Sequence, residues 1–282
     1  MIIRERIEKA ADTLTIGERK LAAAILSDYP FSGLSPIHEL ARHSEVSAPS
    51  ISRFVTKIGL EGYQEFQREL ISELKQGLRS PLDLHEPGRP VEGGFLKDFI
   101  AKSTSQMAVA ADAITDKQFL QICALLADPK RRVYVLGGRI SDTIARHLTF
   151  HLRMIRKDVY HLPVDAEIWP DYMMRMRQGD ILYLVDFRRY EQKLASLARK
   201  VVETRNVRIV LMTDKWISPI AKYAHEVMPV PIESGTLWGT YSAALAVTEA
   251  IVTQIAEGDW DKARARIEAW EKLRPSSKDD LT

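Results

Sequence analysis

The sequence predicts an α/β protein built from an all-helical N-terminal bundle and a parallel sheet with helices on both faces. Apolar residues recur at helical spacing throughout the first 76 positions. A stretch rich in proline and glycine follows at 77–94, where neither helix nor strand is expected. Beyond it, short β-rich runs alternate with helical stretches, which is typical of βαβ crossovers. We therefore expect a helical domain at 1–76, a linker at 77–94 and an α/β domain at 95–282.

Composition and charge bound the possible functions. The 282 residues are long enough for two domains, and 45% of them are hydrophobic, as in ordinary globular proteins. The chain has 40 Lys and Arg residues and 38 Asp and Glu residues, which gives a net charge of +2. This excludes a protein that is drawn to nucleic acid or membranes by its overall electrostatic field. The single cysteine, Cys123, cannot form an intramolecular disulfide, and the longest apolar runs are too short to span a bilayer. We therefore expect a cytoplasmic protein with no membrane partner, in which any DNA-binding charge is local.

The helices of the N-terminal domain each have a start signal or an apolar face. The first places Ile3, Ile7 and Leu14 at helical spacing, and the second begins with the capping-box pair Thr15 and Glu18. The other three are predicted from their first residues: Ser35-Pro36 for the third, Ser47-Ala48-Pro49 for the fourth, which Gly59 ends, and Gly62 for the fifth. Five helices are thus expected before the linker.

Beyond the linker the predicted elements alternate. Two helices are expected at 95–114 and 116–126, and further helices at 140–155, at 190–204 and in the tail 236–273. The β-rich runs lie at 131–138, 158–162, 180–186, 207–214 and 226–230. Since parallel strands need long crossovers between them, this alternation predicts a parallel sheet covered on both faces.

Residues 35–66 have the spacing of a helix-turn-helix. A first helix ends near His43, a short turn follows, and Ser47 caps the second helix. Such a turn sets the helices at a steep angle, so that the second helix can enter the major groove of DNA. Residues 42–57 carry three Lys or Arg against one Glu, whereas residues 1–79 balance eleven cations against eleven anions. The cationic charge is therefore local, as the composition requires.

The solvent face of the second helix carries the candidate DNA contacts. They are Ser47, Ala48, Pro49, Ser50, Ser52, Arg53 and Lys57. Small hydroxylated residues at the helix start permit close approach to the duplex, and Arg53 suits either a guanine or a phosphate. A helical bundle that displays serine and arginine only for solubility would have the same pattern.

A specific pattern, S-x-x-[ST]-I-x-R-F-x-x-K-[IL]-G-[FL]-x-G-[FY], runs from Ser47 to Tyr63. The pieces ERIEKAADTLTIGERKLAAAIL, ELARHSEVSAPSISRFVTKIG and LEGYQEFQREL accompany it. Together they resemble the N-terminal domain of the RpiR/MurR family of bacterial transcription regulators. The resemblance implies a domain that binds double-stranded operator DNA as a dimer, with residues 47–57 as the recognition helix.

Loops that follow the strands are the expected ligand site, because ligands of parallel sheets gather at the carboxyl ends of the strands. Three loops qualify, at 137–141, 186–190 and 213–215, and their arginines favour a small anion. The candidate ligand-binding residues are Gly138, Arg139, Ser141, Asp186, Arg188, Arg189, Tyr190 and Thr213. Each has a structural alternative: the glycines allow close packing of strand and helix, the arginines pair with neighbouring acids, and Asp186 caps a helix.

A second resemblance, to the SIS (sugar isomerase) domain, is carried by RRVYVLGGRIS, VRIVLMTD and SPIAKYAHEVMPVP, and it extends over about Phe95 to Gly258. It implies a five-stranded parallel α/β/α sandwich of flavodoxin-like strand order, which dimerises and commonly binds phosphosugars. Two departures from the family pattern limit this inference. Arg139 replaces the second glycine of G-x-G-x-S, and residues 186–190 replace a serine- and threonine-rich phosphate loop. Only Ser141 transfers directly.

These observations predict a DNA-binding transcriptional regulator, a homodimer or homotetramer whose SIS-type domain senses a small anionic metabolite such as a sugar derivative. No cofactor or metal is expected, because the pair His147 and His151 has no evident third ligand. No catalytic residue is expected either, because Glu233 and His225 lie in no catalytic motif. Two alternatives stay open: a sugar-phosphate isomerase-like enzyme with an appended helical domain, and an effector-independent DNA-binding dimer.

Overall fold

The computed structural model of the chain describes residues 2–27, 29–77, 81–84 and 94–274. Most of the predicted linker at 77–94 therefore lies outside the described residues. The chain forms two compact units. The first comprises Met1–Asp83 with the short segments Arg188–Tyr190 and Trp216–Lys222, and the second comprises Leu84–Phe187, Glu191–Lys215 and Tyr223–Thr282.

The N-terminal part of the first unit is helical, as the apolar spacing predicts. Its helices are α1 (Ile3–Ala10), α2 (Ile16–Ser27), α3 (Ile37–Ser44), α4 (Ala48–Lys57) and α5 (Tyr63–Gly77). A single helical turn, α6 (Pro81–Leu84), lies within the predicted linker, where the sequence predicts no regular element; it begins at a proline, whose fixed φ suits the first position of a helix. Two 3₁₀ turns, Ala11–Thr13 and Phe31–Leu34, were not foreseen from the periodicity. One apolar core holds the helices together, and Leu21, Ile25, Ile51, Phe54 and Leu70 contribute side chains with at most 1% of their surface exposed.

A buried carboxylate ties α1 to α5 within this unit. Glu73 is 5% exposed, and its Oε1 accepts a hydrogen bond of 2.6 Å from the backbone N–H of Ile3. The hydroxyl of Tyr29 donates to the other oxygen of the same carboxyl group. Burial raises the pKa of Glu73, because a carboxylate loses hydration in the core. The side chain thus satisfies a free N–H at the first turn of α1 at the cost of holding an acidic group away from water.

A Glu73→Gln variant is expected to lose a pH dependence of stability. Since the folded-state pKa of Glu73 is raised, its contribution to stability is fully present below the ordinary carboxyl pKa and is lost as pH rises through the raised value. Within that window, each pH unit changes the free energy of unfolding by up to about 1.4 kcal/mol. Glutamine mimics the protonated acid. The free energy of unfolding of the variant should therefore increase relative to that of the natural chain as pH rises.

Denaturant unfolding across the acidic to neutral range measures this difference. Glu8→Gln is the matched control, because Glu8 lies exposed on α1 of the same unit and is not among the charges that raise the pKa of Glu73. It should give nearly the same small difference at every pH. A pH-independent difference between the Glu73→Gln variant and the natural chain would contradict the prediction.

The second unit contains a five-stranded parallel sheet of order β2-β1-β3-β4-β5, which confirms the predicted fold class and flavodoxin-like strand order. The strands are β1 (Val133–Gly137), β2 (Val159–His161), β3 (Ile181–Asp186), β4 (Arg208–Thr213) and β5 (Glu226–Pro229). The helices are α7 (Phe95–Ala113), α8 (Asp116–Ala127), α9 (Asp142–Ile155), α10 (Trp169–Arg175), α11 (Gln192–Arg205), α12 (Ser242–Gly258) and α13 (Trp260–Leu273). Every residue of β1 and β3 is buried, as expected for strands covered on both faces.

Two details differ from the expected elements. The helix α10 was not predicted from the sequence, and the C-terminal helical region begins at Ser242 rather than at Thr236. The hydroxyls of Ser234 and Thr236 both bond to the carbonyl of Trp238, at 2.9 and 2.7 Å, which gives this backbone an alternative to the helix. No helix in the described part of the chain is long and apolar enough to cross a membrane.

Candidate nucleic-acid interface and ligand site

The turn between α3 and α4 has the geometry that a helix-turn-helix requires. Glu45 closes α3 in the left-handed conformation, with φ of 55°, and its N–H bonds to carbonyls of the last turn of α3. The Oγ of Ser47 then accepts a hydrogen bond of 3.3 Å from the N–H of Ser50, which caps α4. Only Glu45, Val46 and Ser47 separate the two helices. The predicted boundaries, with a first helix ending near His43 and Ser47 as the cap, agree with the structure to within one residue.

Helix α4 has an apolar inner face and a polar outer face. Ile51, Phe54 and Val55 are fully buried in the core of the first unit, called the helical unit below. The predicted DNA contacts are all exposed or half-buried: Ser47, Ala48, Pro49, Ser50, Ser52, Arg53 and Lys57. The core therefore fixes the rotation of α4 and leaves this polar face to the solvent.

The two cations of α4 have different surroundings. The ammonium of Lys57 lies 2.8 Å from Oε2 of Glu18 and 2.6 Å from the carbonyl oxygen of Thr13. The hydrogen bond from Lys57 lowers the pKa of Glu18, so the two side chains form a charged pair. Arg53 instead donates from Nη2 to Oγ of Ser50 at 3.1 Å, and among the described residues no carboxylate pairs with it. Arg53 is therefore the better placed of the two to meet a phosphate or a base.

Ser141 has a structural role at the carboxyl end of β1. It is 4% exposed, and its hydroxyl donates a hydrogen bond of 2.9 Å to the carbonyl of Val185 in β3. The N–H of Gly138 bonds to the same carbonyl at 3.0 Å. A Cβ on Gly137 would lie 2.5 Å from the Cα of Asp142, so this glycine permits close packing of strand and helix. The loop is thus braced from inside the protein.

One backbone N–H of this loop is already hydrogen-bonded to a carboxylate of the chain. The backbone N–H of Arg139 donates to Oε1 of Glu191 at 2.5 Å, and the N–H of Glu191 donates to Oδ1 of Asp186 at 3.3 Å. The side chain of Arg139 is exposed, whereas Asp186 and Thr213 are buried. Glu191 was not among the predicted site residues, although it stands at the start of α11 directly after the altered loop. It now lies where an anionic ligand was expected.

Asp142 is a further acid that the sequence did not single out. It is 3% exposed and accepts hydrogen bonds from the N–H of Gly137 at 3.0 Å, Nε of Arg146 at 2.8 Å and a ring nitrogen of His161 at 2.8 Å. Burial acts to raise the pKa of Asp142, but the hydrogen bonds from His161 and Arg146 outweigh it and hold the pKa below its ordinary value. Asp142 thus joins β1, α9 and β2 as a structural anchor.

The remaining predicted ligand residues belong to the first compact unit. The guanidinium of Arg188 stacks over the ring of Trp216, 4.5 Å from its centroid. Arg189 is exposed and has a φ of 67°, while Tyr190 is half-buried. The second unit brings Gly138, Arg139, Ser141, Asp186 and Thr213 to the carboxyl edge of its sheet.

The residues considered for acid–base chemistry lie apart. Glu233 follows β5 and pairs with Lys215 at 2.9 Å, whereas His225 immediately precedes β5. The two therefore flank opposite ends of the strand, and Glu233 is engaged as an ion-pair partner. Within the ranges that the structure describes, no group of three or more His, Cys, Asp or Glu side chains could hold a metal ion.

Comparison with known families and proteins agrees with this architecture. Residues 1–77 match the helix-turn-helix domain of the rpiR family, and residues 125–254 match the SIS domain. An uncharacterised HTH-type transcriptional regulator of Haemophilus influenzae is 23% identical, over 93% of this chain and 92% of its own. The HTH-type transcriptional regulator HexR of Pseudomonas aeruginosa is 24% identical, over 82% of this chain and 80% of its own.

One solved structure is similar to this chain over nearly its whole length. It is the NanR protein of Vibrio vulnificus, complexed with ManNAc-6P. The match has a TM-score of 0.55 at 18% identity and covers 96% of this chain and 97% of that one. At this identity the likeness establishes the fold.

Proposed function

We propose a function from the premise that this chain is an rpiR-family protein, in which a helix-turn-helix domain is followed by a SIS domain. The chain is a transcriptional regulator that reads double-stranded operator DNA through α4. The reading domain extends over residues 1–76, and residues 95–282 form the effector-binding and dimerisation domain. The protein acts in the cytoplasm as a homodimer or homotetramer.

The observation that carries this proposal is the outer face of α4. It displays Ser47, Ser50, Ser52 and Arg53. No carboxylate among the described residues neutralises the charge of Arg53, and the inner face of α4 belongs to the core. So small a cationic patch gives modest affinity, because each phosphate contact adds only a limited electrostatic gain. Two helix-turn-helix domains in one assembly, each called a head below, raise the effective affinity for DNA without any new contact. Exposed apolar side chains at the start of α7, namely Phe95, Leu96 and Ile100, support self-association through the second unit.

The test is selection of genomic DNA fragments by the full chain, followed by affinity measurements at several salt concentrations. We expect sequence-specific fragments with a repeated half-site, since a symmetric assembly reads a symmetric operator. The logarithm of affinity should fall with the logarithm of salt concentration at a slope of about −4, corresponding to roughly two phosphate contacts per head in a dimer. Failure to enrich any sequence, or binding that ignores salt, would count against the proposal.

The effector is a small anionic metabolite, in line with the sugar-phosphate complex of the Vibrio vulnificus relative. The exposed guanidinium of Arg139, beside the first turn of α9, suits such an anion. The carboxylate of Glu191 already takes the N–H of Arg139, so a ligand anion must displace it or bind beside it. Since Glu233 is paired with Lys215 and lies at the opposite end of β5 from His225, these two residues do not form one acid–base site, and we propose no catalytic role.

Removal of the Glu191 charge is expected to strengthen binding of sugar phosphates and inorganic phosphate. Glu191→Gln keeps an oxygen that can accept from the N–H of Arg139 but no longer repels an incoming anion. Affinity should rise about tenfold, which corresponds to about 1.4 kcal/mol of relieved like-charge repulsion.

Isothermal titration with a panel of sugar phosphates and with inorganic phosphate measures this effect. The matched control is Glu203→Gln, because Glu203 is an exposed residue of the same helix α11 and should leave affinity unchanged. Equal or weaker anion binding by Glu191→Gln would contradict an anion site beside Glu191.

A further inference from the structure

A cavity opens in the second unit, called the SIS-type unit below, away from the loops that follow the strands. It has a volume of about 500 Å³ and lies among α8, the last turns of α9 and α12, and the first turns of α13. Its apolar wall includes Cys123, Ala127, Ile155, Ile255 and Ala263. The strand-end loop is at the other end of α9, about 20 Å away for a helix of this length. The cavity is therefore distinct from the proposed effector site, and its volume is in the range of small-molecule pockets.

The rim of this cavity has an excess of positive charge. Of the charged lining residues that the structure describes, Arg156, Lys157, Lys262 and Arg266 are cationic and Asp259 is anionic. Asp259 pairs with Lys262, which leaves three cations without a lining carboxylate. The guanidinium of Arg156 is turned to backbone carbonyls, and Nε of Arg266 donates to the carbonyl of Arg153 at 3.0 Å. The ammonium of Lys157 pairs with no carboxylate in the described part of the chain.

We infer that this cavity binds an amphipathic anion, a molecule with an apolar chain or ring and a single carboxylate or similar group. The apolar part packs against Ile155, Ile255 and Ala263, where burial removes its surface from water. The anionic group meets Lys157 and Arg266 at the rim, where solvent still reaches both partners. Polar sugar phosphates fit this wall poorly, so the site selects a different chemical class from the one proposed for the strand-end loop.

Cys123 supplies a reporter inside the cavity, because it is the single cysteine of the chain. It is 5% exposed, and burial raises the pKa of its thiol to about 11, so modification by a neutral reagent such as iodoacetamide is slow. Decanoate, used on the full chain below its micelle-forming concentration, is the probe. At about 100 times its dissociation constant, the modification rate should fall about 100-fold, because only the unoccupied cavity admits the reagent.

Two comparison compounds separate the parts of the inference. Acetate, which has the charge without the chain, should give no protection, and 1-decanol, which has the chain without the charge, should bind more weakly than decanoate. Equal protection by 1-decanol would overturn the requirement for an anion. Equal protection by acetate would overturn the requirement for an apolar part. A rise in melting temperature with decanoate but not acetate provides a second readout that does not depend on the thiol.

A pair of charge variants locates the anionic group. Lys157→Glu should weaken decanoate protection at least tenfold while leaving that by 1-decanol unchanged, and Lys157 is exposed, so the variant should fold. Lys130→Glu is the matched control, because Lys130 is an exposed lysine near the end of α8 that does not line the cavity. Absence of decanoate protection and of thermal stabilisation in the natural chain, or equal effects of the two variants, would overturn the inference.

Discussion

An Ile51→Ala variant is expected to destabilise the helical unit strongly and so weaken DNA binding, while the stability of the SIS-type unit is unchanged. Ile51 is fully buried on the inner face of α4, beside Phe54 and Val55. Truncation of a buried isoleucine to alanine costs about 2–5 kcal/mol, because apolar contacts are lost and a cavity remains. The whole stability of a domain is about 5–15 kcal/mol, and small domains lie at the low end. One substitution can therefore remove most of the stability that holds α4 in place.

Thermal unfolding followed by circular dichroism, together with binding to the selected DNA, measures this outcome. We expect the transition of the helical unit to shift to lower temperature, with the transition of the SIS-type unit unchanged. Ile16→Ala is the matched control: it removes the same atoms in the same unit, but Ile16 is 82% exposed, so the change should stay within about 0.5 kcal/mol. Equal destabilisation by the two variants would contradict the role assigned to the inner face of α4.

The fold could be predicted wherever the sequence expresses a local rule. Ser47 and Pro49 mark the start of α4, and the fully buried strand β3 appears as a continuous apolar run because helices cover both of its faces. The helix α10 gave no such signal, since seven residues with a proline in the first turn have too little periodicity. The loop before α12 was wrongly predicted as helix. Hydrogen bonds from its hydroxyls to a backbone carbonyl hold it out of the helix, and these form only once the backbone has taken that path, so the sequence pattern does not reveal them.

The candidate sites were predictable only in part, for a related reason. Arg139 and Asp186 could be placed at strand ends from the sequence, because strands and loops are local features. The bond between the N–H of Arg139 and Glu191 joins residues 52 positions apart. The ion pair of Lys57 with Glu18 spans 39 positions. No local rule specifies such pairs, yet they decide which charges at each site are available to a ligand.

Arg53→Ala should weaken operator binding far more than Lys57→Ala does. Removal of the Arg53 guanidinium costs about 1–3 kcal/mol per head if it contacts a base, and relaxes specificity at one position of each half-site. In a dimer the two losses combine to give a decrease of about 100-fold or more. Lys57 is already paired with Glu18. Its truncation should therefore reduce DNA affinity less than Arg53→Ala does, and reduce the stability of the helical unit more. That stability loss is below about 1 kcal/mol, because both side chains are partly exposed.

Affinities of both variants for the selected operator and for a scrambled sequence, at two salt concentrations, distinguish the roles. If Arg53 contacts a base, Arg53→Ala reduces the operator affinity and leaves the scrambled one nearly unchanged; if it contacts only a phosphate, both fall and the salt slope becomes shallower by about one per head. Arg53→Lys sharpens the distinction, since lysine keeps the charge but lacks the planar fork that matches guanine. A larger loss from Lys57→Ala than from Arg53→Ala would show that the pair with Glu18 opens on DNA, and that the exposed charge of α4 is not the one that reads it.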